Sequence, residues 1–292
     1  MSRGRGLVMA ARPRQWLKNV LVLAAPAAAG VLVDSSAMVR VAVAFLAFSL
    51  AASGTYLIND AVDVSADQRH PVKRLRPVAS GSVSRILAAV SGTALLTAAL
   101  VVAGTLVGRS LLAVVAAYVA ITTAYSLWLK HIAVVDIVVV AAGFVLRAVG
   151  GAAAAGVPVS RWFFVVASLG SLFMVAGKRE AELRQLAGLA GWVRPTLNAY
   201  TVEFLVTVRA TASGAAMVAY CLWAFEKDAA AGGAIPWAAL SFVPFLVGML
   251  RYALLVAKGH GAEPVELVLH DRPLLVSGVA LTILVAASTY GG

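Results

Sequence analysis

"MVRVAVAFLAFSLAASGTYLINDAVDVSAD" occupies residues 38–67. Its first part, 38–58, is apolar except for Arg40 and a few hydroxyl groups. As a helix that run reaches about 31 Å, enough to cross the hydrocarbon core of a bilayer. No strict two-residue alternation of apolar and polar groups runs through it, so a barrel strand does not fit. Three aspartates, Asp60, Asp63 and Asp67, then follow where the apolar run ends. The reading is a membrane helix that delivers acids to one face of the bilayer.

The rest of the chain repeats the apolar part of this pattern. Of 292 residues 61% are hydrophobic and 13% charged, about half the charge of a soluble domain. Nine spans are expected, near 17–33, 38–58, 84–107, 110–129, 134–155, 159–176, 200–224, 235–257 and 273–290. The fold class is therefore all-α integral membrane, one polytopic domain over 1–292. The first span, "RPRQWLKNVLVLAAPAAAG", has the basic head and small residues of a signal peptide, but eight later spans favour a retained helix.

Charge orients the bundle. With the N-terminus inside, seventeen Lys and Arg fall on the inner side, among them Arg12, Arg76, Lys130, Arg194 and Lys258. Four fall outside: Arg40, Arg109, Arg161 and Lys227. That is a strong positive-inside bias. It predicts a multi-pass inner (plasma) membrane protein, with the N-terminus and any active site cytoplasmic and the C-terminus outside. Three inner connections, about 59–83, 177–199 and 258–272, are long and polar and should cap the site. The net charge of +11 serves topology and lipid contact rather than nucleic acid. Cys221 stands alone, so no internal disulfide forms; His70, His131, His260 and His270 lack the spacing of a zinc site.

On a continuous helix Asp60, Asp63 and Asp67 share a face at i, i+3 and i+7. Such like charges repel unless a cation sits among them. Oxygen donors in this pattern, with Asn59 beside them, suit Mg²⁺, which bridges carboxylates to phosphate. Pro71 ends the helix, and Lys73, Arg74 and Arg76 follow. Those cations are placed to hold a diphosphate. Ionisable groups beginning inside a membrane helix end are costly and usually functional.

"NDAVDVSAD" resembles the N-D-x-x-D-x-x-x-D signature of the UbiA superfamily of membrane prenyltransferases. The resemblance implies a nine-helix UbiA-type fold around a central cavity, and Mg²⁺ with a diphosphate at Asn59, Asp60, Asp63 and Asp67, of which Asp60 and Asp63 are catalytic. The usual second D-x-x-x-D motif is missing after the sixth span, where the chain reads "GKREAELRQLAG". In that loop Lys178 and Glu182 are i, i+4 neighbours with Arg179 alongside. "RPRQWLKNVLVLAAP", "HPVKRLRPVASG", "AYSLWLKHIAVVDI" and "GKREAEL" are similar to an actinobacterial branch of the superfamily that uses 5-phosphoribosyl diphosphate (PRPP) and a polyprenyl phosphate.

In the terms of that branch, Lys18, Lys73, Arg74, Arg76, Lys130, Lys178 and Arg179 are candidate phosphate ligands, and Glu182 belongs with them. Tyr125 is placed to bond a ribose hydroxyl. Arg147 either holds the ribose 5-phosphate or is tied to an acid on a neighbouring helix; Arg209 and Glu203 have no assigned role. Trp16 and Trp192 read as interface anchors. The branch implies phosphoribosyl transfer to decaprenyl phosphate for cell-wall arabinan synthesis. The partners are the two substrates and membrane lipid, with homo-oligomerisation open. An alternative is prenyl transfer to an aromatic acceptor, as in quinone or haem O synthesis. It requires a second carboxylate pair, for which Glu180 and Glu182 are poorly spaced. A transporter is a third reading, but the acids gather at one face rather than the midplane.

Overall fold

The computed structural model describes residues 3–185, 195–261 and 263–291. Trp192 and Arg194 lie outside the described residues. Among the described residues twelve α-helices follow in order: α1 (Arg3–Ala11), α2 (Ala24–Ala28), α3 (Ser35–Val62), α4 (Val64–Arg69), α5 (Arg85–Leu106), α6 (Arg109–Leu127), α7 (Val135–Ala155), α8 (Arg161–Gln185), α9 (Val202–Ala231), α10 (Trp237–Ala257), α11 (Pro264–His270) and α12 (Arg272–Tyr290). Eight of them, α3, α5–α10 and α12, are long and apolar enough to cross a membrane. The protein is a multi-pass membrane bundle. More than half of the spans of α3 and α7 is buried against 11% for α12, so α3 and α7 form the centre.

The expected first span differs from the prediction. It is not one α-helix: Pro13–Leu23 is a 3₁₀ helix that passes into the short α2. At about 2.0 Å rise per residue the 3₁₀ part is longer than an α-helix of equal sequence, and with α2 it reaches about 30 Å. The sixteen residues from Pro13 to Ala28 therefore cover a bilayer core.

Side-chain meshing explains this conformation. Trp16, Asn19 and Val22 recur every third residue and eclipse on one 3₁₀ face. Trp16 Nε1 donates to Ser53 Oγ at 2.9 Å, and Asn19 Nδ2 to Ser49 Oγ at 3.0 Å. Three residues of 3₁₀ rise about 6 Å, as do four of α-helix, so each turn meets the next small residue of α3. Val22 then lies on α7. A Cβ on Gly151 would come within 1.8 Å of the Val22 carbonyl oxygen. Gly151→Leu should abolish folded yield, as monitored by size-exclusion chromatography. Trp16, expected as an interface anchor, thus bonds α3 while staying half-buried.

Gly54 of α3 and Gly92 of α5 make a second close crossing; a Cβ on Gly54 would stand 2.7 Å from the Gly92 carbonyl. Small residues allow this approach, as in other membrane helix pairs. At the end away from the aspartates, Lys227 of α9 donates to Thr289 Oγ1 at 2.7 Å and to the Ala28 carbonyl at 3.4 Å. That contact joins the first segment, α9 and the last helix. At the other end α1 packs Ala10 with Leu57, Ala61, Val78 and Val83, closing over the C-terminal end of α3.

Candidate active site

The acidic block does not remain on one helix. α3 ends at Val62, and Asp63 is its C-cap, with its N–H bonded to the Asn59 carbonyl at 2.9 Å. α4 restarts at Val64 and ends at Arg69, close to the stop set by Pro71. The break turns Asp63 aside. Both of its carboxylate oxygens accept from Lys130 Nζ, at 2.7 and 2.8 Å. Asp60 and Asp67 remain together, bridged by Arg76 at 3.3 and 2.7 Å. Arg12 adds a 2.6 Å bond to Asp60. Its backbone is left-handed at φ 53°, an uncommon conformation for a residue with Cβ, and its guanidinium lies over the Tyr56 ring.

Each motif carboxylate therefore carries a protein cation, and among the described residues no three metal-ligating groups are gathered into a metal cage. The chemistry of the donor set nonetheless fits Mg²⁺. Asn59, Asp60, Asp63 and Asp67 supply hard oxygen, and Asp60 Oδ2 is buried without a hydrogen-bond partner. Arg74 is exposed at the rim and Lys73 half-buried. His70 Nδ1 accepts the N–H groups of Val72 and Lys73 at 3.1 and 3.2 Å. Burial, and then the Lys73 charge, hold its pKa below the usual imidazole value. The ring stays neutral and acts as a cap for the 73–75 turn.

The facing wall centres on Asp136, which carried no assigned role. It is fully buried at the start of α7. Tyr200 donates its hydroxyl proton to Asp136 Oδ1 and accepts the Val134 N–H at 2.6 Å. Oδ2 accepts from Arg179 Nε at 3.2 Å and Thr196 Oγ1 at 3.4 Å. Val134 sits at φ 68°, ψ −48°, a strained conformation for a β-branched residue. Burial, reinforced by the bond to Asp136, pushes the Tyr200 phenol up to about 12. It therefore stays protonated across the physiological range. Tyr200→Phe leaves Val134 N–H and Asp136 Oδ1 short of a partner, an expected cost of about 1–3 kcal/mol in thermal unfolding.

The second polar segment also differs from expectation. Residues 177–185 continue α8 instead of forming a loop. Arg179 is 2% exposed and tied to Asp136, to Glu182 at 2.9 Å and to the Tyr125 hydroxyl at 3.5 Å. It braces the wall, where Tyr125 and Glu182 contact it. Lys178 lies 3.8 Å from Glu182 and 3.7 Å from Glu263. Glu180 turns the opposite way, fully buried, to Arg209 Nε at 2.7 Å and Arg184 at 3.1 Å. That gives Arg209 its partner and separates Glu180 from Glu182. Glu203 is exposed in the first turn of α9.

Deeper in the bundle, Arg147 is not tied to an acid among the described residues. Its Nε donates to Asn19 Oδ1 at 2.6 Å, Nη1 to the Gly143 carbonyl at 2.7 Å and Nη2 to the Tyr118 hydroxyl at 2.8 Å. The arrangement as a whole is a mouth of carboxylates and cations at the C-terminal end of α3, faced by α7 and α8. Against this geometry, the profile of the UbiA prenyltransferase family matches residues 20–270. The chain belongs to that family.

Among UbiA relatives, decaprenyl-phosphate phosphoribosyltransferase of Mycolicibacterium smegmatis is 43% identical over 98% of this chain and 92% of its own. The Corynebacterium glutamicum protein of the same name is 40% identical over 98% of this chain and 87% of its own. A solved UbiA homolog from Archaeoglobus fulgidus, bound to DMAPP and Mg²⁺, superposes with a TM-score of 0.74 at 16% identity, covering 97% of both chains. At that identity the likeness is one of fold. Of the site residues, Asp136, Tyr200 and Arg12 escaped the sequence reading. Asp136, an acid at the start of a membrane span, was the signal available.

Proposed function

We propose that this UbiA protein transfers the 5-phosphoribosyl group of PRPP to a polyprenyl phosphate and releases pyrophosphate. The observation that carries this reading is that one acidic mouth is found among the described residues. Asp60, Asp63 and Asp67 stand opposite Arg12, Arg76 and Lys130, while α8 offers no second carboxylate pair because Glu180 and Glu182 point to different partners. A prenyl diphosphate donor held between two acidic motifs is therefore not served. The names and 40–43% identity of the mycobacterial and corynebacterial relatives support the same donor and acceptor.

Asn59, Asp60, Asp63 and Asp67 would hold Mg²⁺, which when bound neutralises the diphosphate and eases its departure. Arg76 and Lys130, released from Asp67 and Asp63, pass to the diphosphate oxygens. Arg74 and Lys73 at the rim draw the anionic donor in. The ribose C1–oxygen bond breaks with its electron pair leaving on pyrophosphate. A phosphate oxygen of the lipid forms the new bond from the opposite face. Inversion gives a β-linked polyprenyl-phosphate 5-phosphoribose. The lipid phosphate is already anionic, so no side chain removes a proton. Positioning and electrostatics supply the catalysis. The reaction is placed on the cytoplasmic side, where the basic residues concentrate.

The test uses purified protein in detergent with Mg²⁺, polyprenyl phosphate and radiolabelled PRPP. Label is expected in the organic phase and is expected to vanish with EDTA. Transfer instead from a labelled prenyl diphosphate to an aromatic acid would overturn the reading.

A further inference from the structure

Lys130 stands on a turn with little burial of its own. It lies in a short 3₁₀ turn, Leu129–His131, between the end of α6 at Leu127 and the start of α7 at Val135. Leu127, Trp128, Ile132 and Val134, large side chains around it, are all exposed. Two backbone bonds of 3.1 Å, His131 N–H to the Trp128 carbonyl and Ile132 N–H to the Leu129 carbonyl, close the turn on itself. Neither ties it to the rest of the bundle. Yet Lys130 Nζ meets both oxygens of Asp63 at 2.7 and 2.8 Å. A flexible four-carbon stem reaches one fixed place only if its backbone is fixed.

The tie is polar. The Val134 N–H, four positions after Lys130, donates to the Tyr200 hydroxyl at 2.6 Å. Val134 adopts φ 68°, ψ −48°, a conformation that a β-branched residue leaves unless it is held. The holder is rigid. Tyr200 is buried with Ile137, Leu197 and Leu205, and its ring lies parallel to Phe204. Its proton goes to Asp136, so its oxygen lone pairs are left to accept the Val134 N–H. A hydroxyl that donates to a carboxylate is also the stronger acceptor. Asp136 is fixed in turn by Arg179 Nε and Thr196 Oγ1.

We propose that Tyr200 is a positioning residue: by clamping the Val134 N–H it holds the left-handed bend that sets Lys130 against Asp63. Without the clamp Val134 returns to an ordinary negative φ, a change of about 130° in one torsion, and the 129–133 turn must shift. Asp136 acts one step further back, by directing the phenol's proton away from the bend. The consequence for catalysis rests on the phosphoribosyl-transfer reading, in which Lys130 passes from Asp63 to the diphosphate.

The experiment labels the lysines of the full chain in detergent with trace acetic anhydride and reads each by mass spectrometry. Lys258, which is exposed, is the internal reference. In the wild type Lys130 should label more slowly than Lys258. Tyr200→Phe keeps the ring and removes the hydroxyl. Lys130 should then label about fivefold faster, the worth of a partly exposed ion pair, with Lys258 unchanged. Val134→Pro removes the same N–H and forbids a positive φ while leaving Tyr200 on Asp136, and should act alike. Adding Val134→Gly to Tyr200→Phe should return Lys130 to slow labelling, since glycine takes a positive φ without a clamp. That double variant should unfold near the temperature of Tyr200→Phe, because Asp136 still lacks the phenol. In the transfer assay Tyr200→Phe should lower kcat about tenfold or more, with the KM for polyprenyl phosphate unchanged, and the glycine should restore most of it. Slow, wild-type labelling of Lys130 in a folded Tyr200→Phe or Val134→Pro, or no recovery with glycine, overturns the assignment. So does failure of both variants to fold, which would make the bend a requirement of the bundle. Should the wild type transfer no label from PRPP, the transfer reading fails, and Lys130 labelling still decides the positioning role.

Discussion

Asp60→Asn should lower label transfer by about a thousandfold or more, the loss typical when a preorganised charge at the reacting centre is removed. Asp60 is 1% exposed and receives Arg12 and Arg76 on one oxygen while the other has no partner. Asparagine keeps the shape and the hydrogen-bond acceptor but not the charge. Its amide cannot neutralise two guanidinium groups or serve as an anionic metal ligand. Asp63→Asn should act alike, because Lys130 would lose the carboxylate that holds it ready. Both variants should elute as folded protein, since Asp67 still pairs with Arg76 and Lys130 remains near solvent. Raising Mg²⁺ should restore neither. A double variant, Asp60→Asn with Asp63→Asn, that still turned over would remove the acidic mouth from the mechanism.

A large effect on stability is expected at the contact between α8 and α9. Arg209→Met should cost roughly 3–5 kcal/mol, because Glu180 would be left as a buried charge with only the half-exposed Arg184. In thermal unfolding that corresponds to a drop of roughly 10 °C for a chain of this size. Glu180→Gln combined with Arg209→Met should recover most of the loss, since removing both charges spares the stranded one. Catalysis in the double variant should stay near wild type. Equal destabilisation by the single and double variants would show that the pair packs α8 to α9 by shape alone.

The all-helical, membrane-spanning class was legible because hydropathy is summed over many residues; nine spans were expected and eight of the described helices are long and apolar enough to cross a membrane. The acidic block was legible where charge interrupts apolar sequence, as at Asp60, Asp63 and Asp67. What escaped depends on contacts distant in sequence. Arg12 reaches Asp60 across 48 positions, and Tyr200 reaches Asp136 across 64. No local period reports such pairs. The break at Asp63 was hidden because its composition does not oppose helix; the cap is set by Lys130 from another element. The 3₁₀ segment escaped for a different reason. Its threefold spacing of Trp16, Asn19 and Val22 is visible only once Ser49, Ser53 and Gly151 give it a partner.

That meshing restricts how the N-terminal segment can change in length. Deleting or adding one residue between Trp16 and Val22 would rotate everything beyond it by a third of a turn. Asn19 would leave Ser49, and Arg147 would lose its amide. Three residues at once would instead restore the face and shift it by one turn. Homologous insertions here should therefore come in threes, like codons in an open reading frame.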